Sequence, residues 1–123
     1  LAEDEVLTEI RVPVLDGYGS SYQKFNRRSE DWAMVGVCAL VKVNGSTCED
    51  VRIGLTNMAS TPLRADGVED ALRGRELSPE NIAKAAELAA EGTRPAGDLN
   101  ATTEYKQLLA RVLTRRAITD ALG

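Results

Sequence analysis

Histidine is absent from this chain of 123 residues, and cysteine is scarce, with two residues. Without histidine, the chain offers no Ser-His-Asp triad, histidine base or histidine metal ligand. Two cysteines cannot hold an iron–sulfur cluster alone, because such clusters take four protein ligands. Cys38 and Cys48 also lack the Cys-x-x-Cys spacing of zinc and dithiol sites. Since Cys38 falls in an apolar run, we predict a buried, reduced thiol of a cytosolic protein.

Charge and hydropathy narrow the class of protein further. The net charge of −4 argues against nucleic acid or an anionic membrane as the partner. No apolar run approaches the roughly 20 residues of a membrane span, and no signal-peptide pattern is present. Because the chain begins at Leu1 rather than Met, we expect a fragment or processed product of a longer, cytoplasmic protein. We predict that residues 1–123 form a single domain.

The first half of the chain reads as strands. Residues 5–14 alternate with period two and place β-branched side chains on one face, which predicts a first strand closed by Pro13. The glycine-rich residues 16–21 predict a flexible connection, since they lack the complete pattern of a phosphate-binding loop. The apolar run 32–43 predicts a central strand buried on both faces.

Turn and helix signals complete the pattern. Asn44-Gly45 predicts a hairpin leading into a third strand over 48–58. A short helix over 64–73 should end at Gly74. Ser78 and Thr102 have the character of N-caps for two further helices, the first ending at Gly92. The apolar stripe predicted for the last helix is Tyr105, Leu108, Leu109, Val112 and Leu113. Strands followed by helices favour an α+β fold, with a small antiparallel sheet of three to four strands covered on one face by three helices.

One segment, residues 22–31, combines aromatic, basic and acidic side chains immediately before an apolar run. Aromatic surfaces beside fixed cationic donors suit a flavin, which needs ring contacts and donors to its oxygens. The alternative is a solvated loop in which Arg28 and Asp31 pair locally, at about 0–1 kcal/mol.

Other charged pairs read as structural. Adjacent residues point apart, so Glu49-Asp50 and Glu69-Asp70 should not converge on a substrate, and we predict solvated faces for both. Arg115 and Arg116 near a helix C-terminus fit either the helix dipole or a subunit-docking surface.

Residues 22–33, which include the aromatic and charged segment 22–31, resemble a segment in the FAD subunits of molybdenum hydroxylases. These are the carbon monoxide dehydrogenase and xanthine dehydrogenase-like enzymes. Tyr22, Lys24, Phe25, Arg28, Asp31 and Ala33 fill the pattern Tyr-x-Lys-Phe-x-x-Arg-x-x-Asp-x-Ala. Further resemblances follow in order along the chain: residues 5–13, 52–65 and 69–74, and a tail from Asp98 that includes Thr102, Tyr105-Lys106 and Arg115-Arg116-Ala117. Lys106 departs mildly from the arginine usual there.

The resemblance implies the C-terminal domain of such a subunit, which helps to enclose an FAD held mainly by an N-terminal domain. The two glycine-rich FAD motifs of that N-terminal domain do not occur here, so the isolated domain is not expected to be active. Lys24 and Leu7 match positions that contact FAD in relatives, and we add Arg28 as a polar contact. The implied partners are a small subunit with iron–sulfur clusters and a large subunit with the molybdenum cofactor, FAD relaying electrons to an external acceptor. The alternative is a docking module that touches no flavin.

Overall fold

The computed structural model describes all residues, 1–123, and contains one four-stranded sheet and three α-helices. The strands are β1 (Tyr18–Phe25), β2 (Val35–Asn44), β3 (Thr47–Thr56) and β4 (Leu63–Arg64). The helices are α1 (Asp66–Leu72), α2 (Pro79–Ala86), which continues into a 3₁₀ turn (Glu87–Ala90), and α3 (Thr103–Ala121). The strands lie in sequence order and every neighbouring pair is antiparallel. The predicted α+β architecture is confirmed.

The helices cover one face of the sheet, so burial alternates along the strands. On β2, Val35, Val37, Ala39 and Val41 are at most 2% exposed and belong to the core. Cys38 lies between them and is exposed on the open face. The prediction that this strand is buried on both faces was therefore wrong, as was the prediction of a buried Cys38. The run is apolar nearly throughout, which suggested burial of both faces, but only every second side chain of a strand faces the helices.

The first strand lies later in the chain than predicted. Residues 5–14 form no regular element and are exposed, whereas β1 occupies residues predicted to be a flexible connection and a loop. A period-two pattern becomes a strand only where a neighbour accepts its backbone hydrogen bonds, and no strand of this chain pairs with residues 5–14. Close packing requires glycine at position 19 of β1. A Cβ there would lie 1.8 Å from the carbonyl oxygen of Ala121 at the end of α3.

The predicted turn and cap signals are confirmed. Gly45, with φ of 62°, begins the two-residue connection between β2 and β3. The hydroxyl of Ser78 accepts a bond of 3.2 Å from the backbone N–H of Asn81, and Thr102 caps α3 in the same way. The helix predicted over 64–73 starts too early, because Leu63–Arg64 is paired with β3 as β4.

The buried stripe of α3 is rotated relative to the prediction. Tyr105 and Leu108 are 41% and 50% exposed, while Lys106 is 1% exposed. Its ammonium nitrogen donates to the carbonyl oxygen of Ala96 and to Oδ2 of Asp98, each at 2.7 Å. Lysine side chains are usually exposed, and these two bonds compensate the burial of the Lys106 charge.

Glu69 is a second buried polar residue. Its carboxylate accepts bonds from the backbone N–H of Ile53 at 2.8 Å and from two guanidinium nitrogens of Arg64, each at 2.7 Å. The pair Glu69-Asp70 is therefore not the solvated face that we predicted, although Asp70 is exposed. Glu69 joins α1 to β3 and β4, so its role is structural. None of the helices has both the length and the apolar character required to cross a membrane.

Candidate functional site

Two adjoining depressions surround the loop that follows β1. The larger, about 650 Å³, lies between this loop and the β3–β4 connection. The smaller, about 470 Å³, lies between the loop and the segment that precedes α3. Both are lined by Glu30, Asp31 and Trp32. Lys24 lines the larger depression and Arg28 the smaller.

Asn57 holds the loop against the sheet. Its side-chain amide donates to the carbonyl oxygens of Ala33 at 3.1 Å and Met34 at 3.0 Å. Asn57 is also the one residue other than glycine with a positive φ, at 60°. Asparagine tolerates this left-handed conformation better than most residues. The shape of the larger depression therefore depends on Asn57, both for the left-handed turn of the backbone and for the bonds that hold the loop.

The aromatic surface of the larger depression comes from Tyr22 and Trp32. Tyr22 is 56% exposed and Trp32 is 94% exposed. The ring of Tyr22 lies over Gly36: a Cβ on Gly36 would come within 2.6 Å of the tyrosine hydroxyl and of Cγ2 of Thr56. Glycine at that position thus lets the tyrosine ring lie close to the sheet. Two aromatic faces that the chain itself leaves uncovered are available to a planar ligand.

Lys24 brings a cation to these aromatic surfaces. Its ammonium nitrogen makes one hydrogen bond, 3.4 Å long, to the carbonyl oxygen of Ser29, and no carboxylate lies within ion-pair distance. A lysine with a single long bond keeps donors free for a ligand. It carries one of the positive charges of the region, and Glu30 and Asp31 contribute the negative ones.

The arginines of the loop are placed differently. Arg27 donates to the side-chain oxygen of Asn100 at 2.6 Å, which connects the loop to the segment before α3. Arg28 has a side chain 71% exposed and lies 3.8 Å from Asp31. The local ion pair expected for a solvated loop is thus present. Because the pair is exposed, it contributes only about 0–1 kcal/mol to stability. Arg28 remains available to an incoming group.

Glu30 stays ionised at the rim. Backbone hydrogen bonding, reinforced by a bond from the Ser29 hydroxyl at 3.0 Å, lowers its pKa. The two acidic side chains leave a mixed surface, which is suited to polar ligand atoms as much as to an anion.

The structure brings together two of the three predicted site residues. Lys24 and Arg28 line the adjoining depressions, whereas Leu7 is 60% exposed on the extended N-terminal segment and lines neither. Asn57 and Asn100 were missed, because neither lies in a recognisable motif. A positive φ is invisible in the sequence, although asparagine after a strand is a weak signal for it.

The arrangement can bind a planar ligand through its aromatic faces. No group of three or more histidine, cysteine or acidic residues is placed to hold a metal ion. Both depressions have a mixed aromatic and polar lining. They offer aromatic faces, an ammonium group and hydroxyl and amide groups.

Comparison with known proteins decides the family. Residues 20–121 match the model of the CO dehydrogenase flavoprotein C-terminal domain. The chain belongs to this family. It is 38% identical over 122 residues to the carbon monoxide dehydrogenase medium chain of Hydrogenophaga pseudoflava, covering 98% of this chain and 42% of that protein. It is 22% identical over 126 residues to the xanthine dehydrogenase FAD-binding subunit of Escherichia coli, covering 100% and 43%.

The structural comparison agrees with the sequence comparison. The fold superposes with a TM-score of 0.84 and 36% identity on carbon monoxide dehydrogenase from Hydrogenophaga pseudoflava, solved without the Mo-pyranopterin moiety of its molybdenum cofactor. That match covers 89% of this chain and 38% of the other. The predicted family and fold are confirmed. The chain spans about two fifths of the length of the relatives, whose names describe subunits of oxidoreductases.

Proposed function

We propose that this member of the flavoprotein C-terminal domain family forms one wall of an FAD site in a larger oxidoreductase subunit. The observation that carries the proposal is the exposed Trp32 and Tyr22 beside Lys24, whose donors are largely unused. The domain that holds most of the FAD lies elsewhere in the subunit. The family and the name of the FAD-binding relative support this assignment.

The residues of the larger depression fit one side of a flavin. Tyr22 and Trp32 supply faces for a planar ring, and Lys24 and Arg28 supply donors for its oxygens or phosphates. Leu7 is proposed as an apolar contact, although in this structure it lies outside the depression. Bound FAD supplies reversible electron transfer. This chain contributes positioning, a charge near the ring and exclusion of water.

We further propose that the subunit acts within a molybdenum hydroxylase of the carbon monoxide dehydrogenase type. In this arrangement, an iron–sulfur subunit delivers electrons, a molybdenum-cofactor subunit oxidises the substrate, and FAD passes the electrons to an external acceptor. The names of the relatives support the class of complex. Within that complex, the part supplied by the present chain is one wall of the flavin site.

The test replaces Lys24 by Ala in the full-length subunit and measures FAD per subunit and the rate of flavin reduction. Lys84→Ala is the matched control, because Lys84 is exposed on α2 and paired with Glu80. Loss of one charge-assisted hydrogen bond should cost about 1.5–3 kcal/mol, or roughly 10- to 140-fold in FAD affinity. Equal FAD content and equal flavin reduction rates in the Lys24→Ala and Lys84→Ala variants would contradict the flavin assignment.

A second candidate function is a docking module without flavin contact. It is favoured by Arg115 and Arg116, which are exposed near the end of α3 and form no ion pair. They line an open depression with Pro79 and Asp120. If docking is the function, Arg115→Ala with Arg116→Ala should weaken assembly while FAD content is unchanged, and Lys24→Ala should have no effect on either.

A further inference from the structure

Helix α3 carries a buried cation close to its first turn. Lys106 is 1% exposed, although lysine is rarely buried unless its charge is paired. Both acceptors of its ammonium group, the carbonyl oxygen of Ala96 and Oδ2 of Asp98, lie in the segment before the helix. A buried charge that loses its partners is strongly destabilising. Lys106 therefore holds this segment in one position against α3.

Asp98 connects the cation to the backbone of the residues that follow. Its second carboxylate oxygen, Oδ1, accepts the backbone N–H groups of Asn100 at 2.8 Å and Ala101 at 2.9 Å. The backbone N–H of Asp98 donates in turn to the carbonyl oxygen of Ala101 at 3.0 Å. Lys106 and these two N–H groups lower the pKa of Asp98 to about 2, so the carboxylate is charged at neutral pH. Residues 98–101 are thereby fixed as one turn beside the ammonium group.

The side chain of Asn100 connects this turn to the loop that follows β1. Its oxygen accepts a bond of 2.6 Å from Nη1 of Arg27, and both residues line the smaller depression. A continuous series of hydrogen bonds thus joins the buried cation of α3 to the loop. Four residues form this polar link: Lys106, Asp98, Asn100 and Arg27.

The inner and outer parts of the loop are held by different groups. At the inner part, next to the sheet, the backbone N–H of Met34 donates to the carbonyl oxygen of Phe25 at 2.7 Å. In the outer part, residues 27–32, the backbone N–H of Asp31 donates to the carbonyl oxygen of Arg28 at 3.0 Å. The bond of the inner part ties the loop to β1, whereas the bond of the outer part lies within the loop itself.

Two side-chain bonds reach the outer part from other elements. One is the bond of 2.6 Å between Arg27 and Asn100. The other joins the Lys24 ammonium group to the carbonyl oxygen of Ser29 and is 3.4 Å long. The second bond is weak by its length, and it uses a donor that the proposed function assigns to the ligand. The polar link is therefore the main support of the outer part, which carries the exposed Trp32.

We propose that Lys106 is a positioning residue of the candidate flavin site, and that it fixes the outer part of the loop through the polar link. The inference rests on the proposed function, because the position of Trp32 and Arg28 matters for FAD only if they face it. Lys106 is buried and contacts no ligand, so its effect reaches the site through Asn100 and Arg27. Interruption of the link at any member should loosen the outer part and leave the inner part in place.

The first test measures amide hydrogen exchange at Asp31 and Met34 in the full-length subunit depleted of FAD. Asn100→Ala removes the bond to Arg27 and leaves the buried ion pair of α3 intact. Loss of this one bond should make exchange at Asp31 roughly 2- to 12-fold faster, while exchange at Met34 is unchanged. Unchanged exchange at Asp31 would overturn the proposal.

Gln23→Ala is the matched control. Gln23 also joins β1 to α3 by a side-chain bond, to Asp120 at 2.7 Å, but it lines neither depression. Exchange at Asp31 should equal that of the parent subunit in this variant. Acceleration at Asp31 by Gln23→Ala as large as that by Asn100→Ala would contradict a specific role of the polar link.

Two further variants change Lys106 itself. Lys106→Met removes the charge and should accelerate exchange at Asp31, whereas Lys106→Arg keeps a cation with several donors and should retain most of the protection. Lys106→Met combined with Asn100→Ala should accelerate exchange at Asp31 little more than one variant alone, because both interrupt the same link. Effects that multiply would contradict the link. Equal acceleration of Asp31 and the β2 amides by Lys106→Met, with no effect of Asn100→Ala, would reduce Lys106 to a contributor to global stability and overturn the proposal.

FAD affinity of the same variants separates this proposal from the proposed function. Asn100→Ala should weaken FAD binding by roughly 3- to 10-fold, less than Lys24→Ala, because it displaces ligand contacts without removing one. Weaker FAD binding in Lys24→Ala, with parental exchange at Asp31 in Asn100→Ala, would overturn the positioning role and leave the flavin assignment intact. Faster exchange at Asp31, with parental FAD affinity in both variants, would overturn the flavin assignment and with it the role of Lys106 in the site.

Discussion

Asn57 provides the sharpest test of how the candidate site is built. It combines a left-handed backbone with two hydrogen bonds that hold the preceding loop at Ala33 and Met34. Asn57→Ala removes both bonds and leaves an alanine at φ of 60°. Asn57→Gly removes the same bonds but has no Cβ to strain the backbone.

The cost of each change follows from these contacts. Two hydrogen bonds at an exposed position contribute about 1–2 kcal/mol together, at the lower end of the usual range. The left-handed conformation costs alanine a further 1–2 kcal/mol, roughly. Glycine avoids that cost, although it loses about 0.5–1 kcal/mol through a more flexible unfolded chain. We therefore expect a loss of about 2–4 kcal/mol for Asn57→Ala, and about 0.5–1 kcal/mol less for Asn57→Gly.

Urea unfolding of the two variants and the parent chain measures these differences directly. A loss below about 0.5 kcal/mol for both variants would refute the claim that Asn57 anchors the loop. A loss for Asn57→Ala that is about 0.5–1 kcal/mol smaller than the loss for Asn57→Gly, which is the flexibility cost of glycine alone, would refute the claim that backbone strain contributes. Faster amide exchange at Ala33 and Met34 in either variant would place the effect in the loop beside the larger depression.

Three further predictions concern packing, pH and thiol access. Gly19→Ala should destabilise the chain by about 1–3 kcal/mol in urea unfolding, because its Cβ would overlap a backbone oxygen of α3; a neutral result would refute that close approach. The Lys106 ammonium and two backbone N–H groups lower the pKa of Asp98 to about 2. The resulting stability is complete above the unfolded-state pKa of about 4 and is lost as pH falls through 2, so the stability difference between the parent and Asp98→Asn should shrink between pH 4 and 2. Cys38 should react with a thiol reagent in the folded chain, whereas burial raises the pKa of Cys48 and should make it react only on unfolding.

Local signals predicted the helices well because caps act over a few residues. Ser78 and Thr102 bond to backbone groups three residues away, so their meaning is contained in the sequence around them. The hairpin at Gly45 is equally local. The resemblance to a family supplied the fold before any contact was known, and the family match bears it out.

Tertiary contacts decided what the sequence did not reveal. Lys106 and Glu69 are buried because groups outside their own helices satisfy their charges: Ala96 and Asp98 for Lys106, and Ile53 and Arg64 for Glu69. The period-two pattern of residues 5–14 predicted a strand that this chain does not complete. Lys24 and Arg28 were placed in one region by their closeness in sequence, whereas the opposite wall, formed by the β3–β4 connection, was not foreseen.

The central claim is that FAD contacts this chain beside Lys24, and hydrogen exchange of the full-length subunit with and without FAD tests it most directly. We expect FAD to slow exchange across residues 22–34 and at Asn57, while the exposed face of α3 near Arg115 is unaffected. FAD that protects no amide in 22–34 would contradict the account, and protection near Arg115 instead would place the cofactor on a different surface.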